Sequence, residues 1–236
     1  MRKFQFSFIP FYGLIFLAVL VAASFGTKVV TVLSESAPLT GRHTIVIDAG
    51  HGGEDGGATS CTGILESNLN LEIALRLNDL FHFLGYDTVM VRTTDTALYT
   101  QGDTIAARKS SDLKARVAIA NNTENCIWIS IHQNYFYDDR YSGAQVFYAV
   151  TKDSDVLGKQ LQSNLVRTIN PGSKRQAKKI SGVYLFDHMQ STGILVECGF
   201  VSNRVEEEKL KSADYQKQLC CVIGATVGTF LSCGMN

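Results

Sequence analysis

Four residues in this chain of 236 have types and settings suited to metal-assisted hydrolysis. They are His51 in Asp48-Ala49-Gly50-His51-Gly52-Gly53, Glu66 in Leu65-Glu66-Ser67-Asn68, His132 in Ser130-Ile131-His132-Gln133-Asn134, and Glu197 in Val196-Glu197-Cys198-Gly199. Two imidazoles and one carboxylate are a recurrent set for catalytic zinc, and they leave a coordination position open to water. A second carboxylate beside that water can act as general base. Each residue alone is weak evidence. A histidine in a glycine-rich loop is ordinarily solvated, and a glutamate near a helix start usually compensates the helix dipole. Glu197 differs, because it follows Gly193-Ile194-Leu195-Val196, a run that should be buried, and carboxylates are seldom buried without a partner or a metal.

These residues must be carried by elements that bring them together. From residue 43 onward, short β-rich runs alternate with helical ones. Strands are expected at Thr44–Asp48, Thr88–Arg92, Cys126–His132, Ala144–Val150, Val183–Leu185 and Gly193–Glu197. Leu65, Leu69, Ile73, Leu77, Leu80 and Leu84, three or four apart, predict a helix that stops at Gly85. Further helices are expected over Asp112–Asn121, Ser154–Ile169, Arg204–Lys211 and Asp214–Leu231. This order predicts a single α/β domain with a mostly parallel central sheet and helices on both faces. In such sheets ligands gather beyond the carboxyl ends of the strands. His51, His132 and Glu197 each end an expected strand there, and Glu66 opens a helix, so all four can converge on one edge.

The ends and the composition set the context. Arg2 and Lys3 precede an apolar run of about 20 residues, which reads as a signal peptide or membrane anchor over residues 1–27. Residues 28–42 read as a linker and 43–236 as the catalytic domain, placed outside the cytoplasm and held at the membrane through the N-terminal segment. Lys plus Arg and Asp plus Glu each number 22, so a nucleic-acid partner has no electrostatic support. The six cysteines form no CxxC and two of them, Cys220 and Cys221, are neighbours, which favours structural thiols over a disulfide framework. His43, His82 and His188 are weaker ligand candidates than the two histidines above.

Five segments occur in order: Ile47-Asp-Ala-Gly-His-Gly-Gly53, Glu66-Ser-Asn-Leu-Asn-Leu71, Arg116-Val-Ala-Ile-Ala-Asn121, Ser130-Ile-His-Gln-Asn134 and Leu195-Val-Glu-Cys-Gly-Phe-Val-Ser-Asn203. With them the chain resembles, from about residue 43 to 232, the zinc-dependent N-acetylmuramoyl-L-alanine amidases of the amidase-3 family. The resemblance implies that one zinc ion is bound by His51, Glu66 and His132, and that Glu197 is the catalytic carboxylate. It implies hydrolysis of the amide between N-acetylmuramic acid and L-alanine in peptidoglycan, which removes stem peptides. The single-domain layout is most similar to the sporulation amidases, whose action leads to muramic-δ-lactam in spore cortex. Leu65 departs from the many relatives that carry a basic residue there.

Other roles follow less directly. Asp48 is expected to support a ligand histidine from behind, since such histidines usually donate their free N–H to an acceptor. Asn134 is a candidate for substrate contact or ligand orientation, with a turn-forming role as the alternative. Arg116 is a candidate for a stem-peptide carboxylate or for an internal ion pair. Glu197 could instead ligate the metal at rest. The rival functions are a zinc peptidase cutting within the stem peptide, a non-catalytic wall-binding module, and a cysteine hydrolase through Cys198. An activating or localising protein partner is a further expectation.

Overall fold

The computed structural model describes residues 43–233. The apolar segment and linker expected over residues 1–42 lie outside the described residues. Among those described, no helix is long and apolar enough to cross a membrane.

The elements run β1 (Thr44–Ala49), α1 (Glu66–Phe83), β2 (Asp87–Met90), α2 (Ile105–Asn122), β3 (Cys126–Asn134), β4 (Gln145–Tyr148), α3 (Ser154–Thr168), β5 (Lys178–Lys179), α4 (Tyr184–His188), β6 (Thr192–Phe200), α5 (Arg204–Lys211) and α6 (Ala213–Cys233). The six strands form one sheet in the order β2-β1-β3-β6-β4-β5. Every pairing is parallel except that of β4 with β6. The α/β fold with a mostly parallel sheet is therefore as the alternation predicts.

The central strands β1, β3 and β6 are buried along nearly their whole length, as befits parallel strands covered on both sides. Alternation divides their side chains between two cores. Ile45, Ile47, Ile129, Ile131 and Val196 point into one, where Leu69, Ile73 and Leu77 of α1, Leu161 of α3 and Ile223 of α6 meet them. Val46, Trp128 and Leu195 point into the other, beneath Ala120 of α2 and Leu185 and Phe186 of α4. Each fully buried aliphatic or aromatic side chain contributes about 1.5–3 kcal/mol, so the sheet is fixed rigidly between the layers.

Three elements differ from expectation. Residues 183–185 do not form a strand. Val183 instead caps the five-residue helix α4, whose Asp187 and Met189 amides donate to the Val183 and Leu185 carbonyls. Such a helix is too short to display a helical period, and its aromatic and branched residues imitate a strand. Strand β5, absent from the expected set, is Lys178–Lys179, a two-residue edge whose charges disguise it and also protect the edge from further pairing. Helix α2 begins seven residues before the expected Asp112, because Thr104 caps it by accepting from the Ala107 amide.

Candidate active site and metal centre

The site is assembled where β1, β3 and β6 end. The parallel register sets His132 directly beside Glu197, and the Gly50 amide donates to the Ile131 carbonyl, so the His51 loop continues alongside β3. The ligand-type atoms of His51, Glu66 and His132 all lie within 4.8 Å of one another. The two imidazole rings meet edge to face with centroids 4.9 Å apart. His51 has φ +61°, a left-handed conformation that is costly for a non-glycine residue and that the surrounding loop holds in place.

Glu66 is the first residue of α1, and no side chain caps that helix. The glycine-rich loop does so instead: the Glu66 and Ser67 amides donate to the carbonyls of Ala58 and Gly56. This arrangement explains why Leu65 needs no capping chemistry. The Glu66 carboxylate is buried and accepts at Oε2 from the Ala58 amide (2.9 Å) and at Oε1 from the Gln133 amide (3.1 Å) and Asn70 (3.3 Å). Its Oε1 also lies 3.0 Å from His132 Nδ1 and 3.3 Å from His51 Nε2. Burial alone would raise its pKa, but the hydrogen bonds and charge of the two histidines outweigh this and hold the carboxyl well below its usual range. Gly57, at φ +69°, passes so close that a Cβ there would lie 2.6 Å from Glu66 Oε2.

Asp55, four residues past His51, is a partner that the sequence did not reveal. Its Oδ2 is 3.0 Å from His51 Nδ1 and 3.0 Å from Lys109 Nζ. Against the effect of burial, His51 and Lys109 hold its carboxyl down at about 2. Burial pulls the His51 pKa down, and Glu66 and Asp55 more than reverse that. The arrangement leaves His51 Nε2 turned towards Glu66 and the centre of the cluster.

Glu197 belongs to a different environment. Its Oε2 is sealed from solvent and accepts no hydrogen bond, although part of the residue faces the cleft. Burial pushes its pKa up to about 7, with the nearby histidines opposing and Glu66 reinforcing the shift. Two carboxylates in one site thus have opposite fates: Glu66 is held ionised and Glu197 is poised to exchange a proton near neutrality. His51, His132 and Glu197 line a cleft of about 440 Å³ that also has an apolar lining of Leu113, Phe147, Val183 and Phe186.

Asp48 lies behind the His51 loop. It touches neither histidine but pairs with Arg116 and accepts from Ser130 Oγ (2.6 Å). Arg116 is 3% exposed, also pairs with Asp112 (2.6 Å), and donates to the carbonyls of Ala49 and His51. It is an internal ion pair that grips the His51 loop, and its guanidinium is already engaged. Arg92 grips the same loop from the other side, donating to the Ala49, Gly50 and Ser67 carbonyls. Asn134 closes β3 beyond a register shift, and its carbonyl accepts from the Val201 amide. His43 pairs with Asn125 O, His82 with Thr88, and His188 with Tyr184 O, so none joins the cluster. Cys198 is fully buried and its thiol pKa is driven up by burial, by Cys220 and by Glu197, which removes it as a nucleophile.

The cluster fits zinc on the chemistry of its donors: two imidazoles, one ionised carboxylate, and an orphaned carboxylate oxygen opposite them. The Amidase_3 family, described as N-acetylmuramoyl-L-alanine amidase, matches residues 45–227. The chain belongs to this amidase family. It is 37% identical over 190 residues to the germination-specific N-acetylmuramoyl-L-alanine amidase of Bacillus subtilis strain 168, covering 80% of this chain and 79% of that one. Among solved structures it is similar to the CwlD amidase of Clostridioides difficile in complex with the GerS lipoprotein, at 34% identity and a TM-score of 0.76, over 81% of this chain and 99% of that one. It is also similar to an N-acetylmuramoyl-L-alanine amidase of Clostridium difficile 630, at 30% identity and a TM-score of 0.69, over 82% and 98% of the two chains. The amidase hydrolyses the bond between muramic acid and L-alanine, which sets aside the stem-peptide peptidase and the non-catalytic module.

Proposed function

We propose that this amidase is zinc-dependent, that His51, Glu66 and His132 hold one zinc ion, and that Glu197 is its catalytic acid–base. The observation that carries this reading is the pairing of His132 with Glu197 across β3 and β6, beside a three-residue donor cluster. Zinc held there supplies Lewis acidity, which polarises a carbonyl and brings the pKa of water towards about 7. Glu197 takes the proton of the attacking water as the C–O bond forms at the lactyl carbonyl. When the C–N bond breaks, Glu197 returns that proton to the departing α-amine of L-alanine, so the carboxylate ends as it began. Asp55 fixes the His51 ring, and the Asp48–Arg116 pair and Arg92 fix the loop that carries it.

We place the reaction in spore cortex, where removal of stem peptides precedes muramic-δ-lactam formation. The likeness to a germination-specific relative supports this. Residues 1–27 serve as export signal or membrane anchor, 28–42 as linker, and 43–236 as the catalytic domain. A protein partner that localises or activates the domain fits with the CwlD amidase having been solved with a lipoprotein.

The test is mass spectrometry of peptidoglycan digested by the full chain, with added zinc, with chelator, and beside Glu197→Gln. Release of intact stem peptides beginning with L-alanine, lost with chelator and in the variant, is the expected result. Chelator-insensitive release would sink the zinc assignment, and full release by the variant would sink the role of Glu197.

A further inference from the structure

The helix that carries Arg116 brings a second cation to the cleft. Along α2, Lys109, Asp112, Leu113 and Arg116 share one face at helical spacing, and all four line the cleft beside His51, His132 and Glu197. Arg116, the residue that the sequence offers to a stem-peptide carboxylate, is enclosed and committed to Asp48, Asp112 and two carbonyls. Lys109, two turns nearer the helix start, differs: its side chain is 56% exposed. An ammonium has three donors, and Asp55 Oδ2 at 3.0 Å occupies one of them.

Two consecutive ion pairs hold the first turns of α2 against the loop that follows His51. Glu54 takes the Arg108 guanidinium with both oxygens, each at 2.6 Å, and Asp55 takes Lys109. Arg108 also donates to the Gly102 carbonyl and lies over the Tyr99 ring, so it is consumed in holding the helix. Lys109 is left at the opening, lining both the cleft and the adjoining cavity of about 130 Å³ beside His51. A cation ordered before binding loses little entropy when a carboxylate arrives.

Charge then decides which part of the substrate lies there. On the muramoyl side the groups are hydroxyl, acetamido and lactyl, all neutral, whereas the departing peptide bears carboxylates. The apolar lining of Leu113, Phe147, Val183 and Phe186 cannot compensate a carboxylate, and Asp55 and Asp112 repel one. Asp55 Oδ2 lies 3.0 Å from both His51 Nδ1 and Lys109 Nζ, so the ammonium stands one carboxylate oxygen away from the donor cluster. An extended chain advances about 3.3–3.6 Å per residue, which sets a carboxylate on the residue after L-alanine about 7 Å from the scissile carbonyl. We propose that Lys109 is a specificity residue that binds a free carboxylate on the stem-peptide residue following L-alanine. By this contact the chain discriminates acidic stem peptides from those in which that carboxylate is amidated. The inference rests on the amidase reading of the site. It also gives the substrate a polarity, with the departing peptide over the N-terminal turns of α2.

The experiment follows the full chain, supplemented with zinc, on two N-acetylmuramoyl peptides. They differ only in whether the residue after L-alanine carries a carboxylate or a carboxamide. The parent should favour the carboxylate about fivefold in kcat/KM, chiefly through KM. Lys109→Met should abolish that preference, and Lys109→Arg should keep most of it. Any effect that reaches His51 through Asp55 alters both substrates alike and leaves the ratio between them unchanged. A preference that survives Lys109→Met, with equal loss on both substrates, would reduce Lys109 to a support for Asp55 and overturn the assignment. A parent without any preference would overturn it as well. Failure of the amidase reading would look different, since the parent would then release no L-alanyl peptide from either substrate.

Discussion

A Cβ built on Gly50 would lie 2.2 Å from Nε2 of His132, so the imidazole rests directly on the glycine Cα and leaves no room for any side chain. The glycine before His51 is therefore fixed by the second histidine, not by its own backbone. Gly50→Ala should push the ring away from Glu66 and lower zinc affinity about 10- to 100-fold or more, with the fold retained. Zinc titration followed by far-UV circular dichroism of the same samples checks both halves of the expectation.

Asp55 and Asp48 should behave as opposites when each is changed to Asn. Asp55 holds His51 Nδ1, so Asp55→Asn should weaken zinc binding roughly 10- to 100-fold and change stability little. Asp48 is one of two carboxylates on the buried Arg116, and its loss leaves the guanidinium with Asp112 alone, at a cost of up to about 3–5 kcal/mol. Urea unfolding of the metal-free variants beside metal titration separates the two. A large stability loss in Asp55→Asn, or none in Asp48→Asn, would contradict these assignments.

Glu197 gives a pH signature in the metal-free chain. Its folded pKa is raised from 4.5 to about 7, so it favours the folded state fully below pH 4.5, and this support is lost as pH rises through about 7. Glu197→Gln lacks that dependence. Relative to the variant, the parent should lose up to roughly 3 kcal/mol between pH 4.5 and 8. Parallel stability curves across that range would show that the carboxyl titrates normally.

Turnover by Glu197→Gln with zinc bound should fall about 100- to 10,000-fold, the usual contribution of a positioned acid–base group. KM should stay near the parent value, because the amide side chain fills the same space. Steady-state kinetics on purified peptidoglycan provide the measurement.

The four-residue cluster was legible because three of its members end strongly patterned strands. Ile45–Ile47, Ile127–Ile129 and Ile194–Val196 are uninterrupted apolar runs, and His51, His132 and Glu197 follow them at the carboxyl ends of the strands. Asp55 escaped notice because its contact depends on the turn at residues 52–55, closed by mutual backbone hydrogen bonds between Gly52 and Asp55. No periodicity encodes that geometry. Asp48 shares the sheet face of Ser130 and His132, but its carboxylate is taken up by Ser130 and by Arg116, a residue 68 positions distant that no local pattern announces. Helix α4 and strand β5 are each stabilised by what they pack or pair with, and neither is long enough to carry a pattern of its own.

The loop before Glu66 is fastened from the far end of the chain. Glu207, fully buried at the start of α5, accepts from Ser60 Oγ (2.5 Å) and from Thr62 Oγ1 (2.5 Å), and the Cys61 amide donates to the Val201 carbonyl. The strap thus ties the approach to Glu66 to a residue 145–147 positions further along the chain, so a helix that contributes no residue to the donor cluster still helps to hold the loop that positions it.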